Sequence, residues 1–284
     1  MDLCSKQTIK SLLKNSNISP SKKLGQNFLI DGGIIDKIIG FADLNNQDTV
    51  LEIGPGLGCL TQALAQKAKQ VVAIEKDPKL LEVLKNNLRE LDNVKIIFGD
   101  ILGIEIQNPN VKCQIKSKIP ISNKYKVVAN LPYNIALPVI RRFIEATTPP
   151  QLMILMIQKE VAQKICGEKS CLPKIAVEMF AKPEILFFVP KKSFFPEPKV
   201  DGAVIKISEI RDKNPKMDKE LFFKIVKAGF AHPRKTILNN LSKELNIPKN
   251  DTAQWLEKAN IPGPKRPEDL NLQEWIKLVD GFDF

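Results

Sequence analysis

The feature that most constrains the fold is a regular alternation of short apolar runs with helical stretches between residues 48 and 210. The runs have the length and composition of buried strands, and in chain order they read TVLEI, QVVAIE, VKIIFG, KVVAN, QLMILMI, EILFFV and AVIKI. Strands that alternate with helices predict βαβ units around a mostly parallel sheet. The last two runs are joined by PKKSFFPEPK, which leaves no room for a helix, so we expect them to pair antiparallel. This pattern predicts a seven-stranded α/β sheet whose last strand is antiparallel, unlike the six-stranded dinucleotide fold.

The character of the sequence changes after Arg211. The polar segment RDKNPKMDK follows, and beyond it apolar residues recur at spacings of three and four, which is typical of amphipathic helices. Short helices are predicted over residues 222–230, 235–245, 251–260 and 272–279. We therefore divide the chain into an N-terminal arm (1–20), an α/β domain (21–210) and a small all-helical domain (211–284). For the arm, a short helix and a loose segment both remain open.

The charge balance indicates what the protein binds. The chain of 284 residues carries a formal net charge of +11, which favours a polyanionic partner, with a solvated basic surface as the alternative. The basic clusters are Lys22 with Lys23, the acid-free segment 111–126 with Lys112, Lys116, Lys118, Lys124 and Lys126, and Arg234 with Lys235. We predict that these clusters contact the phosphates of such a polyanionic partner. For Arg234 and Lys235, helix-terminus charges on a solvated face are an equally good interpretation.

Several classes of protein are disfavoured by what the sequence lacks. Five cysteines form no CxxC pair and His232 is the single histidine, so we expect reduced cysteines and no metal site. No apolar run approaches the ~20 residues that cross a bilayer, and the first residues lack the apolar core of a secretory signal. We therefore expect a cytoplasmic monomer that has no membrane partner.

A glycine loop follows the first run of the alternating region. In LEIGPGLG, the residues Gly54, Gly56 and Gly58 permit a tight turn and let a ligand approach the backbone closely. The spacing GxGxG differs from the dinucleotide fingerprint GxGxxG, and Pro55 removes one backbone donor from the loop. The loop therefore favours a nucleoside that carries no pyrophosphate.

Two acidic residues lie at the same edge of the predicted sheet as this loop. Glu75 ends the second strand, where a carboxylate can accept hydrogen bonds from both ribose hydroxyls, and Asp100 follows the third. Ligands bind open α/β sheets beyond the carboxyl ends of the strands, so the glycine loop and the two acids should converge. We interpret them as a site for S-adenosylmethionine; an ordinary strand–turn–helix with exposed acids is the alternative.

The tetrad Asn130-Leu131-Pro132-Tyr133 ends the fourth strand of that region. The Asn130 side-chain oxygen and the Leu131 carbonyl can each accept a hydrogen bond from an exocyclic amine, whose lone pair would then be aimed at a methyl donor. Pro132 stiffens the turn, and Tyr133 offers a ring on which an extruded base can stack. A β-turn with a buried asparagine is the alternative for this motif taken alone.

Several segments, in this order, resemble the ribosomal RNA adenine N6,N6-dimethyltransferase family. They are KKLGQNFLID (22–31), LEIGPGLGCLT (51–61), VVAIEKD (71–77), GD (99–100), VVANLPYNIALPVI (127–140), LMIQKEVAQKI (155–165) and SFFPEPKVDGAVIKI (193–207). The segment AGFAHPRKTILNNL (228–241) is similar to the C-terminal helical module of the family. The chain departs from the family at LPKIAV (172–177), where members carry a Tyr-Gly-Arg-Leu-Ser-Val-like run.

The resemblance implies a Rossmann-like methyltransferase sheet that binds S-adenosylmethionine and releases S-adenosylhomocysteine. It implies that Asn27 and Leu29 cover the methionyl end of the donor and that Gly54 lies under it. Glu75 would bind the donor ribose, and Asp100 would bind the donor adenine. Asn130 would lie at the reacting centre, and Phe194 would stack on the target base opposite Tyr133. The implied reaction is dimethylation of N6 of two adjacent adenines near the 3′ end of small-subunit (16S) ribosomal RNA, in free RNA or a pre-30S particle.

Three other functions remain open from the sequence. The first is the related methylase of large-subunit ribosomal RNA that confers antibiotic resistance. The second is a ribosome-assembly or RNA-binding factor on the same fold, for which methylation is incidental. The third, a nicotinamide dehydrogenase, is disfavoured by the glycine spacing and by the lack of a histidine in the sheet domain.

Overall fold

The structure is a computed structural model that describes residues 2–107, 118–120 and 124–283. Its helices are α1 (Lys6–Asn15), α2 (Gly32–Ala42), α3 (Cys59–Ala65), α4 (Pro78–Asn87), α5 (Ala136–Ile144), α6 (Lys159–Cys166), α7 (Leu172–Glu178), α8 (Lys219–Gly229), α9 (Ile237–Glu244), α10 (Lys249–Lys258) and α11 (Leu272–Asp280). Its strands are β1 (Phe28–Leu29), β2 (Thr49–Ile53), β3 (Gln70–Glu75), β4 (Val94–Phe98), β5 (Glu105–Gln107), β6 (Lys118–Pro120), β7 (Tyr125–Asn130), β8 (Leu152–Gln158), β9 (Lys182–Val189), β10 (Phe194–Phe195) and β11 (Gly202–Ser208).

The main sheet has the seven strands that the sequence predicted. Their order is β4-β3-β2-β7-β8-β11-β9, with β2, β3, β4, β7 and β8 parallel. Strand β11 runs antiparallel to both β8 and β9, between which it is inserted. The predicted α/β class and the antiparallel last strand are confirmed. All parallel strands therefore deliver their carboxyl ends to one edge of the sheet.

Local sequence signals explain where several helices begin. Asp31 caps α2 by accepting a hydrogen bond from the backbone N–H of Ile34, and Asp77 caps α4 by accepting one from Lys79. Pro78 occupies the first turn of α4, where its missing N–H costs no hydrogen bond. Asn271 and Glu274 form a reciprocal capping box at the start of α11.

The N-terminal arm contains a helix that packs against the sheet domain. Ile9 and Leu13 of α1 are buried in a cluster with Phe28, Leu57, Leu80 and Val83. Cys4 forms a disulfide with Cys59 at a Cα–Cα distance of 5.7 Å, so the expectation of reduced cysteines is wrong for this pair. Because 55 residues separate the two cysteines, their spacing in the sequence carries no sign of the contact.

The chain divides into two compact units. One comprises residues 1–162 and 182–211 and contains the main sheet. The other comprises residues 163–181 and 212–284 and contains α8–α11. Its core is formed by buried side chains that include Trp255 and Trp275, and the Trp255 indole N–H donates to the carbonyl of Leu278 at 2.8 Å. Residues 163–181, which we assigned by sequence to the α/β domain, cluster with these helices.

The lysine-rich segment is only partly within the described residues. Lys112 and Lys116 lie outside them, and Lys118 is placed by its backbone alone, opposite Glu105 in the parallel pair β5–β6. The side chain of Lys126 is mostly buried. Its Nζ pairs with the Asp48 carboxylate at 3.1 Å and donates to the Asp43 carbonyl at 2.6 Å. Lys126 therefore links β7 to the segment before β2 within the sheet domain. This contact corrects its assignment to the RNA-binding lysines.

Among the described residues, no helix is long and apolar enough to span a bilayer.

Candidate active site

A cavity of about 320 Å³ lies at the carboxyl edge of the parallel strands. The predicted site residues that line it are Asn27, Leu29, Gly54, Gly56, Glu75, Asp100, Asn130, Leu131, Pro132, Tyr133 and Phe194. The volume lies at the lower end of the roughly 300–1,000 Å³ range of small-molecule sites. Residues from six separate sequence segments therefore meet around a single cavity.

The glycine loop adopts a backbone that other residues rarely tolerate. Gly54, Gly56 and Gly58 have φ angles of 68°, 61° and 93°, all in the left-handed region. A Cβ on Gly56 would lie 3.1 Å from the ring of Phe28, and one on Gly58 would lie 3.0 Å from Leu88. The loop therefore turns under the cavity with bare backbone facing a ligand.

Glu75 at the end of β3 is held by backbone donors. Its carboxylate accepts from the N–H of Gly56 at 3.1 Å and from that of Asp77 at 2.8 Å, and the residue is buried. Burial raises the pKa of the Glu75 carboxyl above its ordinary value, and the backbone hydrogen bonds oppose that rise. The carboxylate thus joins the glycine loop to β3, with lone pairs remaining for a ligand.

Asp100, just after β4, is more exposed and has a cationic partner. Its carboxylate pairs with the Nζ of Lys76 at 2.5 Å and also accepts from the N–H of Leu102 at 3.0 Å. The hydrogen bond from Lys76 lowers the pKa of Asp100. Asp100 is therefore a carboxylate at the cavity rim that can accept a hydrogen bond from a ligand amine.

Asn130 and Asn27 are connected directly. The side-chain Nδ2 of Asn130 donates to the backbone carbonyl of Asn27 at 3.3 Å, and the side chain of Asn27 donates to the carbonyl of Gly25 at 3.2 Å. The Asn130 nitrogen thereby joins the two motifs, and the Asn27 nitrogen holds the turn within its own segment. The Oδ1 atom of Asn130 remains as the hydrogen-bond acceptor at this point of the wall.

The rest of the tetrad is fixed by its backbone. Leu131 is buried, its N–H donates to the carbonyl of Met156 on β8, and the Pro132 carbonyl accepts from Ile135. Burial raises the pKa of Tyr133 to about 12, with Asp201 and Glu160 adding to the rise. The Tyr133 hydroxyl is buried with no hydrogen-bond partner among the described residues. Tyr133 is therefore neutral near pH 7 and contributes mainly a ring.

Phe194 and Phe195 occupy different environments. They form β10, which pairs antiparallel with β1 in the register Leu29–Phe194 and Phe28–Phe195. Phe194 is 3% exposed, belongs to the sheet core and lines the cavity, whereas Phe195 is half-buried. This pairing brings the QNFL segment and the proline-rich loop together at the cavity.

Among the cavity residues that sequence reasoning missed, three lie in buried positions close to the predicted site. Leu3 and Ile9 of the N-terminal arm are buried and line the cavity, and the amphipathic spacing within residues 6–15 was the available signal for Ile9. Glu52, which also lines it, is 1% exposed and its Oε2 has no hydrogen-bond partner among the described residues. Burial raises the pKa of Glu52 to about 8, and the nearby Glu75 adds to the rise. The sequence signal that could have identified Glu52 is the presence of a charged residue inside the apolar run TVLEI.

Outside the segment 111–126, the predicted basic residues fall in two places. Lys22 and Lys23 are exposed in the turn before β1, and Lys23 also lines the cavity. Arg234 and Lys235 are exposed in the second unit, before α9.

Within the described parts of the chain, no group of three His, Cys, Asp or Glu residues is placed to hold a metal ion.

Comparison with known proteins identifies the family. The model of the family described as ribosomal RNA adenine dimethylase matches residues 17–283. The chain belongs to that family. A ribosomal RNA small subunit methyltransferase A from Clostridioides difficile is 39% identical over 283 residues, covering 97% of this chain and 95% of that protein. One from Streptococcus thermophilus is 38% identical over 283 residues, covering 96% and 95%.

Solved structures support the same fold. The 23S rRNA methyltransferase ErmE superposes with a TM-score of 0.69 at 25% identity, covering 91% of this chain and 100% of that one. A dimethyladenosine transferase from Plasmodium falciparum superposes with a TM-score of 0.69 at 24% identity, covering 88% and 95%. The family and the methyltransferase-type sheet expected from the sequence are confirmed.

Proposed function

We propose that this member of the ribosomal RNA adenine dimethylase family transfers methyl groups to the exocyclic N6 of adenine in small-subunit ribosomal RNA. The observation that carries the proposal is the convergence of the glycine loop, Glu75, Asp100 and the Asn130 tetrad around one cavity. The named relatives at 38–39% identity support the small subunit as the substrate. We take two adjacent adenines near the 3′ end of 16S RNA as the targets.

The donor proposed for this cavity, S-adenosylmethionine, supplies an electrophilic methyl group when bound. The residues present fit a nucleoside of this kind: Gly54 leaves its backbone bare beneath the cavity, and the buried Glu75 keeps lone pairs for ribose hydroxyls. Asp100 would accept from the adenine amine of the donor, and Asn27 and Leu29 would cover its methionyl end. We call the set Gly54, Gly56, Glu75 and Asp100 the donor side.

The residues Asn130, Leu131, Pro132, Tyr133 and Phe194 form the acceptor side. Oδ1 of Asn130 and the carbonyl of Leu131 accept hydrogen bonds from the N6 amine, which directs the nitrogen lone pair toward the donor side. The link from Asn130 to Asn27 holds that amide in place before substrate arrives. Tyr133 and Phe194 offer rings to the extruded adenine, and base stacking contributes roughly 1–3 kcal/mol per base.

A general base is unnecessary for this reaction. The methylated amine is acidic enough to lose its proton to water, and Tyr133, whose pKa is raised to about 12, remains protonated. A second transfer requires the pocket to admit a methyl group in place of one N–H. Catalysis then depends on positioning by the acceptor side.

The test is methyl transfer in vitro with labelled S-adenosylmethionine and small subunits that lack the modification. We expect N6,N6-dimethyladenosine in digested 16S RNA. The structural similarity to ErmE favours one second candidate, methylation of large-subunit RNA, so large subunits are assayed in parallel. Methyl label in the large subunit alone would replace the proposal with that second candidate. If neither subunit were labelled, the remaining function would be that of an RNA-binding assembly factor.

A further inference from the structure

The exposed face of α1 carries a line of lysines that no motif accounts for. Lys6, Lys10 and Lys14 recur every four residues and are exposed, so they lie on one face of the helix. The helix sequence KQTIKSLLKN contains no acidic residue. Among the described residues, none of the three lysines forms an ion pair with a carboxylate. We call these three residues the lysine row.

Two lysines of the row lie close to Phe195, the chain neighbour of the acceptor-side residue Phe194. The Nζ atoms of Lys6 and Lys10 lie 6.0 and 5.5 Å from the ring centroid of Phe195, which adjoins the cavity residue Phe194. On the opposite face of α1, Ile9 and Leu13 are buried in the core. The helix is therefore held by its apolar face, and two of its lysines lie over the ring that follows Phe194 in the chain.

The spacing of the row suits one kind of partner. Successive lysines are four residues apart, which at 1.5 Å per residue is about 6 Å along the helix axis. That is close to the distance between successive phosphates of a nucleic-acid strand. Lysine without neighbouring carboxylates binds phosphate as a point charge and releases a counterion on doing so.

We propose that the lysine row of α1 binds consecutive phosphates of the ribosomal RNA strand that leads to the target adenine. The inference deepens the proposed function and rests on it for the identity of the RNA. The row would hold the strand while Tyr133 and Phe194 receive the base, so it acts on RNA affinity and not on the methyl transfer itself.

The test compares three variants of the full chain. The first carries Lys6→Gln, Lys10→Gln and Lys14→Gln, and the second carries arginine at the same positions. The third, a matched control with the same loss of charge, carries Lys67→Gln, Lys69→Gln and Lys95→Gln. These control lysines are exposed at the amino-terminal ends of β3 and β4, the edge of the sheet opposite the cavity.

The measurement is the Kd for a labelled 16S RNA fragment that contains the 3′ end, across a range of salt concentrations. For the glutamine row variant we expect a Kd weaker by on the order of 10- to 100-fold at ~0.1 M salt, and a log–log salt slope smaller by about 2–3. The arginine variant and the matched control should retain the slope of the unmodified protein, and calorimetry should show unchanged donor affinity.

An unchanged slope in the glutamine row variant, or an equal loss in the matched control, would overturn the inference. A photo-crosslinking residue at position 10, tested on small subunits, should label 16S RNA; labelling of ribosomal protein alone would also overturn the inference.

The proposed function and the proposed role of the lysine row can each be refuted without the other. A protein that binds the fragment through the row without methylating any subunit refutes the proposed function only, whereas an active enzyme with an unaltered salt slope refutes the lysine row only.

Discussion

The donor side and the acceptor side of the cavity differ in how their polar groups are satisfied. On the donor side, Glu75 accepts two backbone N–H groups and Asp100 pairs with Lys76. On the acceptor side, the Tyr133 hydroxyl has no partner among the described residues. Among the described residues, the Asn130 side chain is held through its nitrogen, which donates to Asn27.

This difference indicates how each side works. Groups that the chain already orients are pre-organised to bind a ligand, so changes there should appear in donor affinity. The Asn130 oxygen, which the proposed amine would contact, should instead affect the rate of transfer, because that interaction is made only when the amine is in place. Variants on the two sides of the cavity test this division.

Asn130→Ala should lower kcat on the order of 10²–10³-fold, the cost of removing one oriented acceptor from a reaction centre. Donor affinity should change little, because the donor side keeps its own hydrogen bonds. Single-turnover methyl transfer and calorimetry measure the two quantities. Asn86→Ala, at an exposed position of α4, is the control. A variant with normal kcat and a greatly weakened donor Kd would place Asn130 on the donor side.

Glu75→Gln should produce the reverse pattern. A hydrogen bond to a charged group contributes about 1.5–3 kcal/mol, so the Kd for S-adenosylmethionine should weaken about 10- to 100-fold. At saturating donor, kcat should stay near that of the unmodified protein. Glu82→Gln, on the exposed surface of α4, controls for loss of charge. If kcat fell while the donor Kd stayed constant, the proposed division between the two sides would be wrong.

Glu52 on β2 tests the same contrast within the sheet, since it is as buried as Glu75 but its Oε2 lacks a partner among the described residues. Its folded pKa of about 8 lies above the ordinary value of 4.5, so the folded state retains a proton that the unfolded state loses. The contribution of Glu52 to the unfolding free energy should therefore be fully present below pH ~4.5, fall as the pH rises, and be lost above about 8.

Glu52→Gln does not titrate and should remove this pH dependence. Relative to the unmodified protein, its unfolding free energy should rise on the order of 1 kcal/mol per pH unit between pH 6 and 8. Urea unfolding at several pH values measures the difference. A constant difference across that range would show that Glu52 is ionised in the folded protein, and the contrast with Glu75 would disappear.

Part of this architecture could be read from the sequence because it depends on local pattern. The alternation of strand-like runs determines the sheet, and the residues that end parallel strands, such as Glu75 and Asn130, must share an edge. Family resemblance added Asn27 and Phe194, which no periodicity would have singled out. Residues that end a parallel strand, or that lie in a motif of the family, could therefore be predicted from the sequence.

Other features depend on contacts between distant segments, which local pattern does not reveal. The Cys4–Cys59 disulfide joins residues 55 positions apart, and Ile9 enters the cavity wall only because α1 packs on the sheet domain. Lys126 looked like one more lysine of a basic segment, yet the fold places it against Asp48. Each of these residues has its role set by a partner that lies elsewhere in the chain.

The smallest expected effect is that of Tyr133→Phe, which separates the ring from its hydroxyl. The hydroxyl is buried without a partner among the described residues, so its removal should leave the unfolding free energy unchanged or raise it by up to ~1 kcal/mol. Because stacking uses the face of the ring, kcat/KM for ribosomal RNA should stay within about twofold. Tyr133→Leu, which keeps an apolar side chain but removes the ring, should instead lose the ~1–3 kcal/mol of stacking, or about 5- to 150-fold. A tenfold loss in the phenylalanine variant would show that the hydroxyl contacts the substrate, and the unsatisfied group on the acceptor side would then belong to the chemistry of base recognition.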